Sequence, residues 1–168
     1  MRRVLLTGMS GTGKSTVVAE LAARGYRAVD ADESGLCEPV TVPAETLTGV
    51  PGQDWLWRED LVRQLLDEQT ELLFLAGCAP NQGRFRHRFG HIVLLTAPVP
   101  VIVQRLASRT TNPYGKRPEE VERVLRLREA VEPLLRRVAT LEVQTTVPVD
   151  QVVARILAHA GQPIQGPL

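Results

Sequence analysis

The chain is expected to fold as one α/β domain of three layers, a parallel sheet with helices on both faces. Three observations lead there. Five short apolar runs alternate with segments of helical period, and connected parallel strands need such crossovers. Several of the runs are apolar at nearly every position, as in strands buried on both faces. And 168 residues without an internal repeat suit a single core.

The elements follow in order. Residues 2–7, RRVLLT, form a first strand that stops at Gly8, and 15–24, STVVAELAAR, form a helix that stops at Gly25. A second strand covers 26–30, YRAVD, and ADESG turns the chain. Residues 33–53 hold Pro, Gly and Thr without helical period, which reads as an irregular segment or a small hairpin, an insertion extending to about 54. WLWREDLVRQLLDEQ, 55–69, is expected as a helix with Leu56, Leu61, Leu65 and Leu66 on one face. The runs 71–76 and 91–96 are the third and fourth strands. A helix over 99–109 carries Pro100 near its start, where a missing N–H costs little. Residues 110–118, TTNPYGKRP, form a Pro/Gly turn. The charged helix 118–139 is expected to kink or break near Pro133. Strand 141–145 and helix 150–160 complete a domain over 1–161, and 162–168 is expected to be a flexible tail.

Composition excludes several classes. Hydrophobic residues make up 43% and charged residues 23%, ordinary for a soluble globular protein. A formal net charge of +1 argues against wholesale nucleic-acid or membrane binding, and no apolar run reaches the ~18 residues of a membrane span. Cys37 and Cys78 have no metal-ligand spacing and read as inert small residues in a reduced, cytoplasmic setting; His87, His91 and His159 lack such spacing too. Oligomeric state, monomer or homodimer, is left open.

One motif carries chemistry. Gly8-Met-Ser10-Gly11-Thr12-Gly13-Lys14-Ser15 matches G-x-x-x-x-G-K-[ST] between the first strand and the first helix, with Thr16 next. Glycines let the backbone wrap with its N–H groups inward onto phosphate oxygens, and the helix N-terminus adds favourable potential. The lysine reaches the β- and γ-phosphates and the serine hydroxyl a Mg²⁺ ion. The pattern predicts ATP with Mg²⁺ at Gly8, Ser10, Gly11, Thr12, Gly13, Lys14, Ser15 and Thr16.

Further along, Asp30-Ala31-Asp32 ends the second strand, where alternate residues point the same way, so both carboxylates can face the phosphates; the alternative is a turn whose acids cap a helix. Arg105 and Arg109, four apart, share a helix face, either toward a ligand or as a solvated basic face. The carboxyl ends of parallel strands face the ligand crevice, which places Gly77, Asn81 and Gln82 on the acceptor side. Beyond them Arg84, Arg86, His87 and Arg88 read as a rim for an anionic acceptor or as a solvated rim.

The order of these motifs resembles the small P-loop kinases, with adenylate, shikimate and gluconate kinases the nearest in pattern. The resemblance implies a P-loop NTPase α/β/α sandwich with five parallel strands in the order 2-3-1-4-5 and a short lid at about 110–118. From shikimate kinase-like proteins it implies Asp30 in the metal shell with Ser15, and Asp32 as the base on the acceptor hydroxyl. Similarity to adenylate kinases implies that Arg105 stacks on adenine, that Arg109 contacts phosphate, and that the backbone of 145–149 brackets the base. In a closing lid, Lys116 or Arg117 would reach the transferring phosphoryl group; the alternative is an ordinary polar loop. Arg123, ten residues before Pro133-Leu134, is similar to a phosphate-contacting arginine of adenylate kinases. The chain departs from these families over 33–70, where Trp55, Trp57 and Arg58 could form a stacking wall with an anion clamp, or a loop anchored on the core. The expected activity is γ-phosphoryl transfer from ATP-Mg to a small-molecule hydroxyl or phosphate acceptor, of nucleoside monophosphate or sugar-acid type. The alternatives are a nucleotide-dependent switch and, with less support, a polynucleotide-end kinase.

Overall fold

The computed structural model describes residues 1–41, 53–110 and 114–161. Five strands form a parallel sheet: β1 (Arg2–Thr7), β2 (Arg27–Asp30), β5 (Leu72–Ala76), β6 (His91–Thr96) and β7 (Leu141–Gln144). Their spatial order is β2-β5-β1-β6-β7. Taken in chain order these are the second, third, first, fourth and fifth sheet strands, the expected 2-3-1-4-5. Two further strands, β3 (Cys37–Thr41) and β4 (Gln53–Trp57), pair antiparallel with each other in a separate ribbon.

Strand alternation sorts side chains between the two faces. Val4, Leu6, Phe74, Val93 and Leu95 face helices α1 (Lys14–Ala23) and α5 (Val149–His159), meeting Val17, Leu21, Val153 and Ile156. Leu5, Leu73, Leu75 and Ile92 point the other way, onto Val62, Leu65 and Leu66 of α2 (Glu59–Leu66) and onto Trp57, Phe85 and Phe89. Helices α3 (Val99–Ser108) and α4 (Pro118–Val138) complete the covering, and a 3₁₀ segment spans Gln82–Arg88.

One expectation fails here and another is narrowed. The helix expected over 55–69 begins at Glu59, because Trp55, Leu56 and Trp57 pair with Pro39, Glu38 and Cys37 respectively. The Arg58 N–H then donates to the Leu36 carbonyl at 2.8 Å, ending the strand. The buried face accordingly uses Val62, Leu65 and Leu66, with Leu56 and Leu61 only partly covered. Pro133 does not break α4, which runs 21 residues. Proline removes one hydrogen bond to the carbonyl four residues earlier, and that residue, Glu129, is exposed to water, as is Pro133 itself. Of the irregular insertion at 33–54, residues 42–52 lie outside the described residues, as do 111–113 of the lid and the tail 162–168. No described helix is long and apolar enough to cross a membrane.

A polar clasp holds the ribbon on the sheet. Asn81 accepts the Trp57 N–H at 3.0 Å and donates to the Trp57 carbonyl at 2.9 Å, while the indole packs against Phe85 and Gly77. Trp57 is 1% exposed, so its backbone has no water to fall back on. Asn81→Leu is expected to cost about 2–4 kcal/mol, since two buried groups lose their partners at once. Urea unfolding should show a lower midpoint at an unchanged slope; an unmoved midpoint would mean that the ribbon is held by packing alone.

Candidate active site

Strand β1 delivers the chain to a loop that only glycine can make at three points. Gly8, Gly11 and Gly13 have φ of 147°, 82° and 92°. A Cβ on Gly8 would lie 2.4 Å from the Leu95 carbonyl oxygen, inside van der Waals contact with backbone that cannot yield. Helix α1 starts at Lys14, so its first N–H groups open toward the loop. The Lys14 ammonium donates to the Gly8 and Met9 carbonyls at 2.8 and 3.2 Å, which folds it back over the loop. Thr12 is fully buried, with its hydroxyl donating to Met9 O at 2.8 Å, and shapes the loop from behind.

At the neighbouring strand end, the Ser15 hydroxyl donates to Asp30 Oδ2 at 2.6 Å. Asp30 Oδ1 accepts the Asp32 N–H at 3.0 Å, which turns the chain so that the Asp32 side chain is exposed to the cavity. Asp30 and Asp32 thus occupy different settings: one buried and hydrogen-bonded, the other open. The Cys37 thiol donates to Asp32 Oδ1 at 3.6 Å. Burial, reinforced by the Asp32 and Asp30 charges, pushes that thiol up to about 12, so it stays protonated at neutral pH. Burial also raises the Cys78 thiol. Neither cysteine has thiolate character, although Cys37 stands closer to the acids than its sequence context suggests.

An open cavity of about 570 Å³ runs from this loop across the carboxyl ends of the strands. Ser10, Gly13, Lys14, Ser15 and Thr16 line its loop end, Asp32 and Glu33 one flank, and Val147, Val149 and Val152 the far end. Arg105 enters from α3 and Arg109 from the extended residue just past it, so the two reach one cavity although the helix expected to carry both ends at Ser108. The Arg105 guanidinium donates to Thr145 Oγ1 at 2.8 Å and to the Thr145 carbonyl. Arg109 reaches Ser10 Oγ at 3.4 Å and the Tyr114 carbonyl, and its buried Nε has no partner among the described residues. Burial lowers the pKa of both guanidiniums, yet arginine remains charged at any physiological pH.

Several expected site residues lie elsewhere. Arg117, expected to be catalytic, is the exposed residue preceding α4; its N–H, with those of Gly115 and Lys116, donates to the Glu120 carboxylate. Lys116 donates to the Ala107 and Arg109 carbonyls at the end of α3, because an ammonium satisfies helix C-terminal carbonyls well. Arg123 hydrogen-bonds the Tyr114 side chain and does not line the cavity. Gly77, Asn81 and Gln82 do not line it either: Gly77 backs onto Trp57, Asn81 clasps Trp57, and Gln82 accepts the Thr7 hydroxyl at 3.2 Å. Arg58 is also outside the lining, and its side chain makes no hydrogen bond or ion pair with another described residue. The two tryptophans form no common wall, as Trp55 is 55% exposed and Trp57 is core. In the basic rim, Arg84 pairs with Glu59 and Arg88 with Asp67. Sequence reasoning missed Glu33 and the Thr145 side chain; for Thr145 the signal was its place in 145–149.

A family model described as an AAA domain matches residues 4–126. A shikimate kinase from Rhodopseudomonas palustris is 32% identical over 164 residues, covering 94% of this chain and 80% of the relative. The chain belongs to the small P-loop kinases of the AAA-domain family. Two solved structures share the fold of this P-loop kinase. The shikimate kinase of Acinetobacter baumannii in complex with shikimate has a TM-score of 0.61 at 21% identity, covering 95% of this chain and 94% of that one. A gluconokinase from Sinorhizobium meliloti has a TM-score of 0.60 at 21% identity, with 95% and 91% covered. The P-loop kinase is therefore an ATP-dependent small-molecule kinase, and Ser10, Gly11, Gly13, Lys14 and Ser15 of its loop line one cavity with Asp32.

Proposed function

We propose that the protein transfers the γ-phosphoryl group of ATP-Mg to a hydroxyl of a small polyhydroxylated carboxylic acid. The observation that carries this reading is the Ser15–Asp30 hydrogen bond of 2.6 Å with Asp32 two residues on, facing the same cavity. A hydroxyl and a carboxylate in contact are the hard oxygen donors that Mg²⁺ takes, with phosphate oxygens and water filling its other positions. Among the described residues no group of three His, Cys, Asp or Glu could hold a metal unaided. The ion accordingly depends on the nucleotide, with Ser15 and Asp30 as its protein side; when bound it neutralises charge on the phosphates.

The triphosphate fits the loop for reasons visible in the chain. Three positive-φ glycines bring bare backbone to the cradle, Lys14 is folded over the loop, and the Arg109 guanidinium reaches it at Ser10. Lys14 exchanges the Gly8 and Met9 carbonyls for phosphate oxygens, and Arg109 supplies charge to the transferring group from the opposite side. Asp32 accepts the proton of the acceptor hydroxyl as that oxygen attacks. Its open setting lets an acceptor approach, whereas Asp30 is already committed to Ser15 and to the backbone.

The acceptor class follows from charge. Arg58 leads into α2 directly after Trp57, which lies against Gly77 at the end of β5, and it is the guanidinium assigned to an acceptor carboxylate. Arg84 shares Glu59 with Arg63 and Arg88 pairs with Asp67, so two of the three rim arginines are already engaged by acids. The relatives are named for shikimate and gluconate, both hydroxylated monocarboxylic acids. A hydroxy acid is preferred over a nucleoside monophosphate on these grounds. ADP release across hydroxy acids, sugars, nucleosides and nucleoside monophosphates tests it. Stimulation by a hydroxy or sugar acid is expected; turnover that no member lifts above basal hydrolysis, or that only a nucleotide lifts, overturns it.

A further inference from the structure

The two ends of the cavity are tied together by one hydroxyl. Thr145, just past β7, is 5% exposed, and its Oγ1 donates to the Thr12 carbonyl of the phosphate loop at 2.8 Å. The same oxygen accepts from Arg105 Nη1 at 2.8 Å, and the Thr96 carbonyl lies 3.2 Å away. Arg105 adds a bond to the Thr145 carbonyl and another to Gly11 O at 3.4 Å. A Cβ built on Gly13 would meet Arg105 Nη1 at 3.6 Å and Thr145 Oγ1 at 3.7 Å, so the pair stands directly behind the loop's last glycine. The loop, α3 and the 145–149 connection converge on this knot.

We propose that Thr145 is a positioning residue: with Arg105, its hydroxyl sets the spacing between the phosphate end of the nucleotide cavity and the end formed by Val147, Val149 and Val152. The proposal rests on the reading of this cavity as a nucleotide site. Its physical content is that of a two-point ligand. Each end holds its half of the nucleotide by itself, and the combined affinity depends on how rigidly the two ends are held at the nucleotide's own span. The knot supplies that rigidity through side chains, because the covalent path between Thr12 and Thr145 runs through most of the fold. It also gives Arg105 a different duty from the free stacking expected of it. Three of the five guanidinium N–H donors are engaged by Gly11 and Thr145.

The test compares a probe that spans both ends with one that fills only the loop, namely a non-hydrolysable β,γ-imido ATP analogue and inorganic tripolyphosphate, by calorimetry on the full chain. Thr145→Val keeps the shape and removes the hydroxyl. It is expected to weaken the ATP analogue about tenfold, the scale of one or two buried hydrogen bonds, while tripolyphosphate stays within about twofold. Thr145→Ser should restore analogue binding. Arg105→Met cuts the knot from its solvent side and should repeat the pattern, which keeps the test open if the valine variant does not fold. Unchanged analogue affinity in both variants overturns the proposal. A parallel loss of both probes also overturns it, by placing Thr145 in the folding of the loop alone. Wild-type protein that binds neither probe defeats the nucleotide-site reading itself, and the positioning role with it.

Discussion

Asp32→Asn is expected to lower phosphoryl transfer by about 10²–10⁴-fold while ATP affinity stays within a few-fold. The substitution keeps size and leaves the backbone N–H that Asp30 accepts, so the turn after β2 is retained. What it removes is the only proton acceptor among the two strand-end acids that is open to a substrate. Asn cannot take the proton of an attacking hydroxyl. In the proposed function this carboxylate does not hold the nucleotide, since the phosphates are assigned to the loop and the metal to Ser15 and Asp30. Single-turnover transfer and equilibrium nucleotide binding, measured side by side, separate the two effects. Equal loss of both would mean that Asp32 belongs to the metal side with Asp30. Cys37 offers an internal control. Its thiol, held protonated, donates to the same Oδ1, so Cys37→Ala is expected to change transfer far less than Asp32→Asn.

Lys14→Ala is the second large effect, about 10²–10³-fold in kcat, the scale of losing one charged stabiliser of the transferring group. The ammonium has a structural task in the absence of phosphate, closing the loop through the Gly8 and Met9 carbonyls. Both carbonyls can be hydrated in the variant, since the loop end of the cavity is open, and the melting temperature should move little. A steep fall in both melting temperature and kcat would instead assign the lysine mainly to loop folding. Lys14→Arg sharpens the result: a guanidinium keeps the charge but presents a planar fork where the loop accommodates a compact ammonium, so it should not restore the rate.

Much of the phosphate end was legible in the chain. The glycine spacing demanded a loop that side chains cannot make, and Gly8, Gly11 and Gly13 all have positive φ. Asp30 and Asp32 were legible as a pair by strand alternation, although their division of labour came from a contact, Ser15 with Asp30, that no spacing reveals. That Arg105 and Arg109 reach one cavity was readable from a spacing of four, although α3 ends at Ser108. The acceptor side was not. Trp55-Leu-Trp57 satisfies a helical period as well as an extended one, and its partners, Cys37 to Pro39, lie far earlier in the chain. Asn81 and Gln82 look available in sequence because they are polar and follow a core strand. In the fold their amides are spent on Trp57 and Thr7. Lys116 and Arg117 carry the charge a lid needs, but local backbone groups and Glu120 engage that segment first.

The strand order and the kinase activity came from the motif order shared with small P-loop kinases; what the residues by themselves determined was the strands, the helices and the glycine loop. Each of these depends on short-range rules: alternation within a strand, period within a helix, and backbone freedom at glycine. Only the tertiary structure decided which polar groups remain free to meet a ligand. A side chain's availability depends on partners brought from distant positions, as Thr145 meets Thr12 and Arg105 meets Gly11. Those encounters depend on how strands and helices pack, and buried hydrogen-bonding groups take the nearest partner that the packing offers.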